Sequence, residues 1–239
     1  MPRWPLLLYV GWLLALLALT GCARTIVNLP AETAAPERPL ATSTPERSAV
    51  LRELDGQAEM RGDADAEWAP TSAGLILGVG NQLRTGPDSR AYIHLTEGSK
   101  VRLAPETTIT VNLFNPYMDS LLTALALDRG AVYVLLAISS ALDVETPVGL
   151  ASARASYMSV AYDPDTQTVF VTCLQGVCSF EGTFVPAGYK YEQAGLTAAL
   201  PEPMSFADYG AWGLAVPEAT ELVALATEAV AQGSATVPI

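Results

Sequence analysis

Over residues 74–113 apolar and polar positions alternate, a two-residue period that belongs to strands with one buried face and not to helices. Ala91, Ile93 and Leu95 fall on one side and Tyr92, His94 and Thr96 on the other. Beyond Gly98 the pattern resumes with Val101 and Leu103 inward and Lys100 and Arg102 outward. Requiring one apolar face sets the register. A two-residue loop at Glu97-Gly98 would place Leu95 against Lys100, whereas a three-residue loop Thr96-Glu97-Gly98 pairs Leu95 with Ser99, Ile93 with Val101 and Ala91 with Leu103. Gly98 then takes the left-handed position of a G1 bulge, where a Cβ would be penalised. Ile109, Val111 and Leu113 form a third strand after the Ala104-Pro105-Glu106 turn.

The same pattern recurs along the chain. Strands are predicted over 50–54 and 57–61 about Asp55-Gly56, followed by an Asp/Ala-rich loop and by Trp68, which reads as core or rim packing. A hairpin is predicted at Arg129-Gly130, where a two-residue loop aligns Leu127 with Val132 and Leu125 with Val134; the Ala/Leu run over 121–127 would suit a helix equally well. Residues 143–146 lead to Pro147, a strand end. Residues 157–162 alternate again, Asp163-Pro164-Asp165 turns the chain, and 184–187, Gly188 and 189–192 close the sheet. Many short strands with Gly and Pro punctuation point to an all-β, antiparallel sandwich or jelly-roll-like barrel. Past Pro201 the texture changes. Pro217 at the first helical position, Glu218 and Glu221 in the first turn and Gly233 beyond the end frame an amphipathic helix over 217–232. Its stripe is Leu222, Leu225, Ala226, Ala229 and Val230. Such a helix packs back onto the sheet with Phe206, Tyr209 and Trp212, or offers its stripe to a partner.

Two features of the N-terminal region give the chain a place. Arg3 precedes an apolar run of 14 residues, 6–19, too short for an ordinary spanning helix and suited to a signal-peptide core. The run ends Leu19-Thr20-Gly21-Cys22, which resembles the bacterial lipobox; that resemblance implies removal of residues 1–21 and lipidation of Cys22, the alternative being an uncleaved N-terminal anchor. Residues 22–48, with Pro30, Pro36, Pro39 and Pro45 among Ala, Thr, Ser and Glu, read as a disordered tether. The expected location is the extracytoplasmic face of the cell membrane.

Charge narrows the partners. With 13 basic against 25 acidic residues, a net charge of -12 and a pI near 4.4, the chain lacks the cationic surface that nucleic acid requires. An acidic surface is also repelled by anionic headgroups, so membrane attachment falls to the lipid anchor. With Cys22 lipidated, Cys173 and Cys178 remain. A two-residue loop at Gln175-Gly176 sets them opposite in a non-hydrogen-bonded pair close enough to bridge, and the same register aligns Val171 with Phe180. Closing so short a loop stabilises by about 2 kcal/mol in the chain-entropy model. A zinc or redox site lacks partners, because His94 is the only histidine and the spacing is not CxxC.

Several segments together resemble the FecR domain, named for an extracytoplasmic regulator of iron-citrate uptake. They are the entry at Gly74 and Leu75, residues 83–91 (LRTGPDSRA), Glu97-Gly98-Ser99 with Val101-Arg102-Leu103, residues 127–134 (LDRGAVYV), Val144-Glu145-Thr146-Pro147, and Val185-Pro186-Ala187-Gly188. The resemblance spans about 49–193 and implies the same sandwich class, with 194–239 as a C-terminal extension. The shared positions are turns and core, among them Gly86, Asp88, Ser89, Gly98, Gly130, Pro147 and Gly188; Gly176, at the Gln175-Gly176 loop, is a further expected turn residue. Family members relay a signal to a sigma factor through a cytoplasmic N-terminal domain; only five residues precede the apolar run here, so direct sigma-factor control is not expected.

Catalytic motifs are not found. His94 lies on the outer face of its strand, no GxSxG elbow accompanies it, and Gly78-Val79-Gly80 lacks the glycine and lysine of a phosphate loop. No cofactor, metal or catalytic residue is assigned. The expectation is a non-catalytic, lipid-anchored FecR-like module that binds an envelope protein, with a polysaccharide-binding module as the alternative, for which Tyr209 and Trp212 are the candidate stacking residues. An unrecognised hydrolase is a more distant third reading.

Overall fold

The computed structural model describes residues 48–114, 121–195, 197 and 199–232; the expected signal peptide (1–21), Cys22, the expected tether up to residue 47, and Gly233 lie outside them. The strands, in chain order, are β1 (Ala49–Asp55), β2 (Ala58–Arg61), β3 (Ala69–Pro70), β4 (Ile76–Leu77), β5 (Gln82–Thr85), β6 (Arg90–Leu95), β7 (Lys100–Leu103), β8 (Thr108–Phe114), β9 (Leu121–Leu135), β10 (Ser140–Thr146), β11 (Gly149–Asp163), β12 (Thr168–Phe180), β13 (Thr183–Val185), β14 (Tyr189–Ala194) and β15 (Glu202–Pro203). Two helices follow, α1 (Phe206–Ala215) and α2 (Thr220–Ala231), joined through a 3-10 turn at Pro217–Ala219.

Hydrogen bonds join all fifteen strands into one mixed sheet, which divides into two layers because β9, β11 and β12 belong to both. The first layer runs β3-β2-β5-β8-β9-β10-β11-β12-β13 and uses the first halves of β9 and β11 and the end of β12. The second runs β4-β1-β6-β7-β9-β11-β12-β14-β15 and uses the remaining halves. In the first layer β10 lies between β9 and β11, parallel to β9; in the second β9 and β11 pair directly. One core lies between the layers, with Leu83, Ile109 and Leu125 from one side and Ile93, Val101 and Val132 from the other.

Each crossing strand changes its inward phase where it bends. Along β9 the buried positions on the core side are Thr123, Leu125 and Leu127, then Val132 and Val134. Along β11 they are Ala151 and Ala153, then Ser156, Met158, Val160 and Tyr162; along β12 they are Val169, Val171 and Cys173, then Cys178 and Phe180. A bulge inserts one residue, so the chain can bend without turning its apolar face outward. Gly130 (φ 89°), Ala155 (φ 46°) and Gly176 (φ 85°) sit at these bends with left-handed backbone.

This corrects two expected hairpins. The chain does not reverse at Arg129-Gly130: Leu127 pairs with Ile109, and Val132 pairs with Leu103 and Val160. Nor does it reverse at Gln175-Gly176, because Val171 pairs with Val160 and Tyr191, and Phe180 with Ala151 and Thr183. A two-residue hairpin and a bulge shift the apolar phase alike and both favour a left-handed glycine. The bond between Cys173 and Cys178 forms all the same, with Cα atoms 5.9 Å apart, across a bend within β12.

The central hairpin has the expected register. Leu95 N–H donates to Ser99 O at 2.8 Å, Ile93 pairs with Val101 and Ala91 with Leu103, and Gly98 has φ 95°. Trp68 packs at the rim, with the guanidinium groups of Arg84 and Arg61 at 4.3 and 4.6 Å from its ring. The helix expected over 217–232 is divided, with a 3-10 turn at Pro217–Ala219 before α2, and its inward residues are Leu222, Val223, Ala226 and Val230. Leu225 of the expected stripe is 47% exposed. The face is rotated because α2 packs against α1 as well as the sheet, and a Cβ on Gly213 would stand 3.7 Å from Val223 Cγ1.

Gly130→Ala is expected to lower stability by about 2 kcal/mol or more, because its Cβ would lie 2.6 Å from Thr107 Cα in addition to the positive φ. Gly98→Ala has the same backbone strain but no heavy atom within 4 Å and should cost about 1 kcal/mol. Urea unfolding of the two variants gives the comparison; equal losses would mean that close packing at the β9 bend does not matter.

Candidate functional site

The outer face of the second layer carries a row of directly opposed residues, Glu53, Tyr92, Arg102, Tyr133, Ser159, Thr172 and Lys190, contributed in turn by β1, β6, β7, β9, β11, β12 and β14. Side chains opposite one another on neighbouring strands share a face. Tyr133, with Leu135, Tyr157 and Leu174 beside it, makes this face partly apolar, and α1 and α2 cover that part.

α1 begins with a capping box. Ser205 Oγ accepts from Asp208 N–H at 3.3 Å, and Asp208 Oδ2 accepts from Ser205 N–H at 2.7 Å, satisfying two donors at the helix start. The Ser205-Phe206-Ala207-Asp208 spacing is the sequence signal that would have predicted this helix. From α1, Trp212 meets Tyr133 edge-on with ring centroids 5.1 Å apart, and its Nε1–H donates to Thr172 Oγ1 at 2.8 Å. A Trp buried this way keeps its N–H paired. Tyr209 and Trp212 are each 1% exposed, which removes them as stacking residues for a sugar. Packing wins because the outer face offers apolar area to large aromatics from the extension.

Ion pairs frame the helical cap. Glu218 accepts from Arg102 Nη2 at 2.9 and 3.0 Å and from Lys100 Nζ at 3.3 Å. Lys190 Nζ lies 3.3 Å from Glu202 and 3.6 Å from Asp208. Burial pushes the Glu218 carboxyl up, but hydrogen bonds and positive charge from Arg102 and Lys100 outweigh it and hold the group below the ordinary carboxylate value. For Lys100, burial pulls the ammonium down while Tyr92 and Glu218 raise it further, leaving it above its usual value.

Beside the cap lies a cleft of about 440 Å³, walled by Glu53, Asp55, Arg90, Tyr92, Arg102 and Tyr133 from the sheet and by Ala211, Leu214 and Pro217 from the cap. Burial raises the Tyr133 hydroxyl above the ordinary phenol value, with Arg90 partly offsetting it. This wall suits recognition by ion pairs, hydrogen bonds and apolar contact. His94 stands opposite Val50 and Lys100, so its strand neighbours offer no carboxylate to complete a triad. Among the described residues no cluster of three His, Cys, Asp or Glu forms a metal site.

The motif residues hold the framework elsewhere. Ser89, 2% exposed, accepts from Gln57 N–H at 2.9 Å and donates to Pro87 O at 3.0 Å; Asp88 before it has φ 54°, and Gly86 N–H donates to Gln57 O at 2.9 Å. Thr85 Oγ1 donates to Ala104 O at 2.7 Å and accepts from Thr107 N–H at 2.9 Å. Thr107 Oγ1 in turn accepts from Ala131 N–H at 3.0 Å, next to Gly130. Sequence reading had not singled out Thr85 or Thr107, since threonine on a strand is ordinary. Pro147 begins the β10–β11 turn, and Gly176 packs against the β11 bulge, where a Cβ would be 2.6 Å from Ala155 O. Gly188 N–H donates to Cys173 O at 2.7 Å while its own carbonyl accepts from Met204 N–H at 2.9 Å, linking β12 to the approach to α1.

Residues 81–178 match the family model described as FecR protein. Over that segment the chain is similar to the FecR domain. The matched segment opens at β5, contains the hydroxyl cluster and all three bends, and closes at the second disulfide cysteine, so α1 and α2 lie beyond it. Two crystal structures of a candidate anti-sigma factor from Parabacteroides distasonis ATCC 8503 are similar to this chain, at 12% and 10% identity and a TM-score of 0.45 each, with 55% of this chain matched to 63% of theirs. The chain thus spans less than two thirds of their length, and a likeness so slight transfers neither partner nor activity. No curated protein matches.

Thr107→Val keeps the shape but strips Ala131 N–H of its acceptor, and urea unfolding should register a loss of about 1–3 kcal/mol. Glu218 is expected to make cap docking acid-sensitive. Its folded-state value is depressed, so its contribution is present above the unfolded carboxylate value of about 4.3 and is lost as pH falls through the lower folded value. The Trp212 fluorescence change, taken as the difference from Trp212→Phe, should show that acid step in the parent and not in Glu218→Gln; an identical step in both would place the titrating group elsewhere.

Proposed function

We propose that the chain is a non-catalytic, lipid-anchored extracytoplasmic FecR-type module that binds an envelope protein in cell-surface signalling. The observation that carries this reading is where the family match falls. Ser89, Gly86 and Gly130, which carry the sequence resemblance, secure turns and bends, and so do Gly176, Thr85 and Thr107 of the matched segment. These residues act as framework, which leaves recognition to exposed surfaces. The likeness to the FecR domain itself supports a signalling role. Polysaccharide binding is the weaker reading, because Tyr209 and Trp212 are interior.

The anchor rests on the sequence. The apolar run 6–19, the Leu19-Thr20-Gly21-Cys22 junction and the proline-bearing stretch that follows support export, lipidation and a spacer between bilayer and folded part. Among the described residues no helix is long and apolar enough to cross a membrane. Cells fed radiolabelled palmitate should yield a labelled protein in the membrane fraction, with Cys22→Ala losing the label; label retained by that variant, or an unlabelled parent in the cytosol, would overturn the placement.

A further inference from the structure

α1 is apolar on both sides. Its inner side buries Tyr209 and Trp212, while its outer side carries Phe206 at 55% and Leu214 at 81% exposure, with Gly210 between them at four-residue spacing on the same stripe. Its one charged residue is Asp208. A helix apolar all round belongs in an interior, and here the outer stripe faces solvent.

Gly210 adds a second observation. A glycine inside a helix is destabilising relative to alanine. Nothing lies within 4 Å of where its Cβ would stand, so no intramolecular contact requires its small size. A helix crossing between Phe206 and Leu214 would, because lack of a side chain lets two backbones approach closely.

Charge selects the occupant. From Glu192 onward the chain has six carboxylates and no Lys, Arg or His, and α2, packed beside α1, presents Glu221 and Glu228 to solvent. The cations beneath the cap are engaged: Arg102 and Lys100 with Glu218, Lys190 with Glu202 and Asp208. Arg90, on the cleft below Leu214, is outnumbered there by Glu53 and Asp55. A uniformly acidic rim repels anionic lipid and a second copy of the same cap, and it complements a cationic segment.

We infer that the Phe206–Gly210–Leu214 stripe docks a basic amphipathic helix of a partner protein, apolar on the docking side and Lys/Arg-bearing along its flanks. This deepens the binding-module reading and rests on it. The test uses the full-length protein in detergent and a fluorescent 18-residue helix of Leu and Lys, with Leu at three- and four-residue spacing, beside a twin in which Glu replaces Lys. The Leu/Lys helix should bind, more weakly as salt rises, and the Leu/Glu twin should not. Leu214→Ser and Gly210→Ala should each weaken binding at least tenfold, the latter with an unchanged or higher unfolding temperature, a combination that damage to the fold cannot produce. Equal binding of both helices, or parental affinity in both variants, would overturn the inference. So would a concentration-dependent dimer abolished by Leu214→Ser, which would put a second copy on this face, or protection of residues 206–214 by phosphatidylglycerol vesicles, which would put a bilayer there. An envelope protein whose binding survives Leu214→Ser would remove this docking face and leave the binding-module reading standing.

Discussion

Three strands hold this protein together by lying in two layers at once. β9, β11 and β12 each have to bend between layers while keeping an apolar side toward the same core, and the bulges at Gly130, Ala155 and Gly176 satisfy both requirements by shifting the inward phase by one residue. A bulge leaves backbone groups without ladder partners, and buried polar groups left unpaired are costly. Around the β9 bend the Thr107 hydroxyl supplies the acceptor for Ala131 N–H, and Thr107 is itself held by Thr85. The β11 and β12 bends instead brace one another, with Gly176 packed on Ala155 and Ser156 and the Cys173–Cys178 bond spanning the β12 side.

Sharing strands has a consequence for the outside of the second layer. Because β9, β11 and β12 are long, they bring Tyr133, Leu135, Tyr157 and Leu174 onto the outer face, an apolar area that water would otherwise meet. The C-terminal extension covers it with a second, smaller core built on Trp212, Tyr209, Val216 and Ala226. Contacts of different kinds fix the cap in place: the indole N–H on Thr172 gives direction, the Tyr133 edge contact gives area, and the Glu218 and Lys190 pairs give register along the sheet. The exposed pairs add little energy by themselves, so docking depends chiefly on the aromatic burial.

Framework and recognition are therefore separated along the chain. The segment that matches the FecR model provides the three crossing strands and their bends, and its turn residues are engaged with the framework. From Glu192 onward the chain has no basic residue, and this stretch folds as a cap whose inward side completes the protein and whose outward side remains apolar and acid-rimmed. A similar framework could carry a different cap without change to its core, which is why a family match over 81–178 describes construction better than partnership.

Much of this was legible in residues near one another. Alternation and the position of Gly98 were enough for the β6–β7 register, because one buried face and one turn geometry leave a single solution, whereas Cys173 and Cys178 are joined across a bend and not across the hairpin expected there. Local sequence alone could not tell a hairpin from a bend at Gly130 and Gly176, since both change apolar phase and both want a left-handed glycine; the choice belongs to distant partners, β8 and β7 for β9, β11 and β14 for β12. The fate of Tyr209 and Trp212 was likewise undecided by their own segment, as an aromatic pair on a helix reads the same whether it meets a sugar or a sheet. The sequence by itself determined that strands form and which residues of each face inward, because those follow from short-range sterics and the period of burial. Only the tertiary structure decided which strands continue through two layers and which aromatics are interior, because those depend on surfaces brought together from opposite ends of the chain.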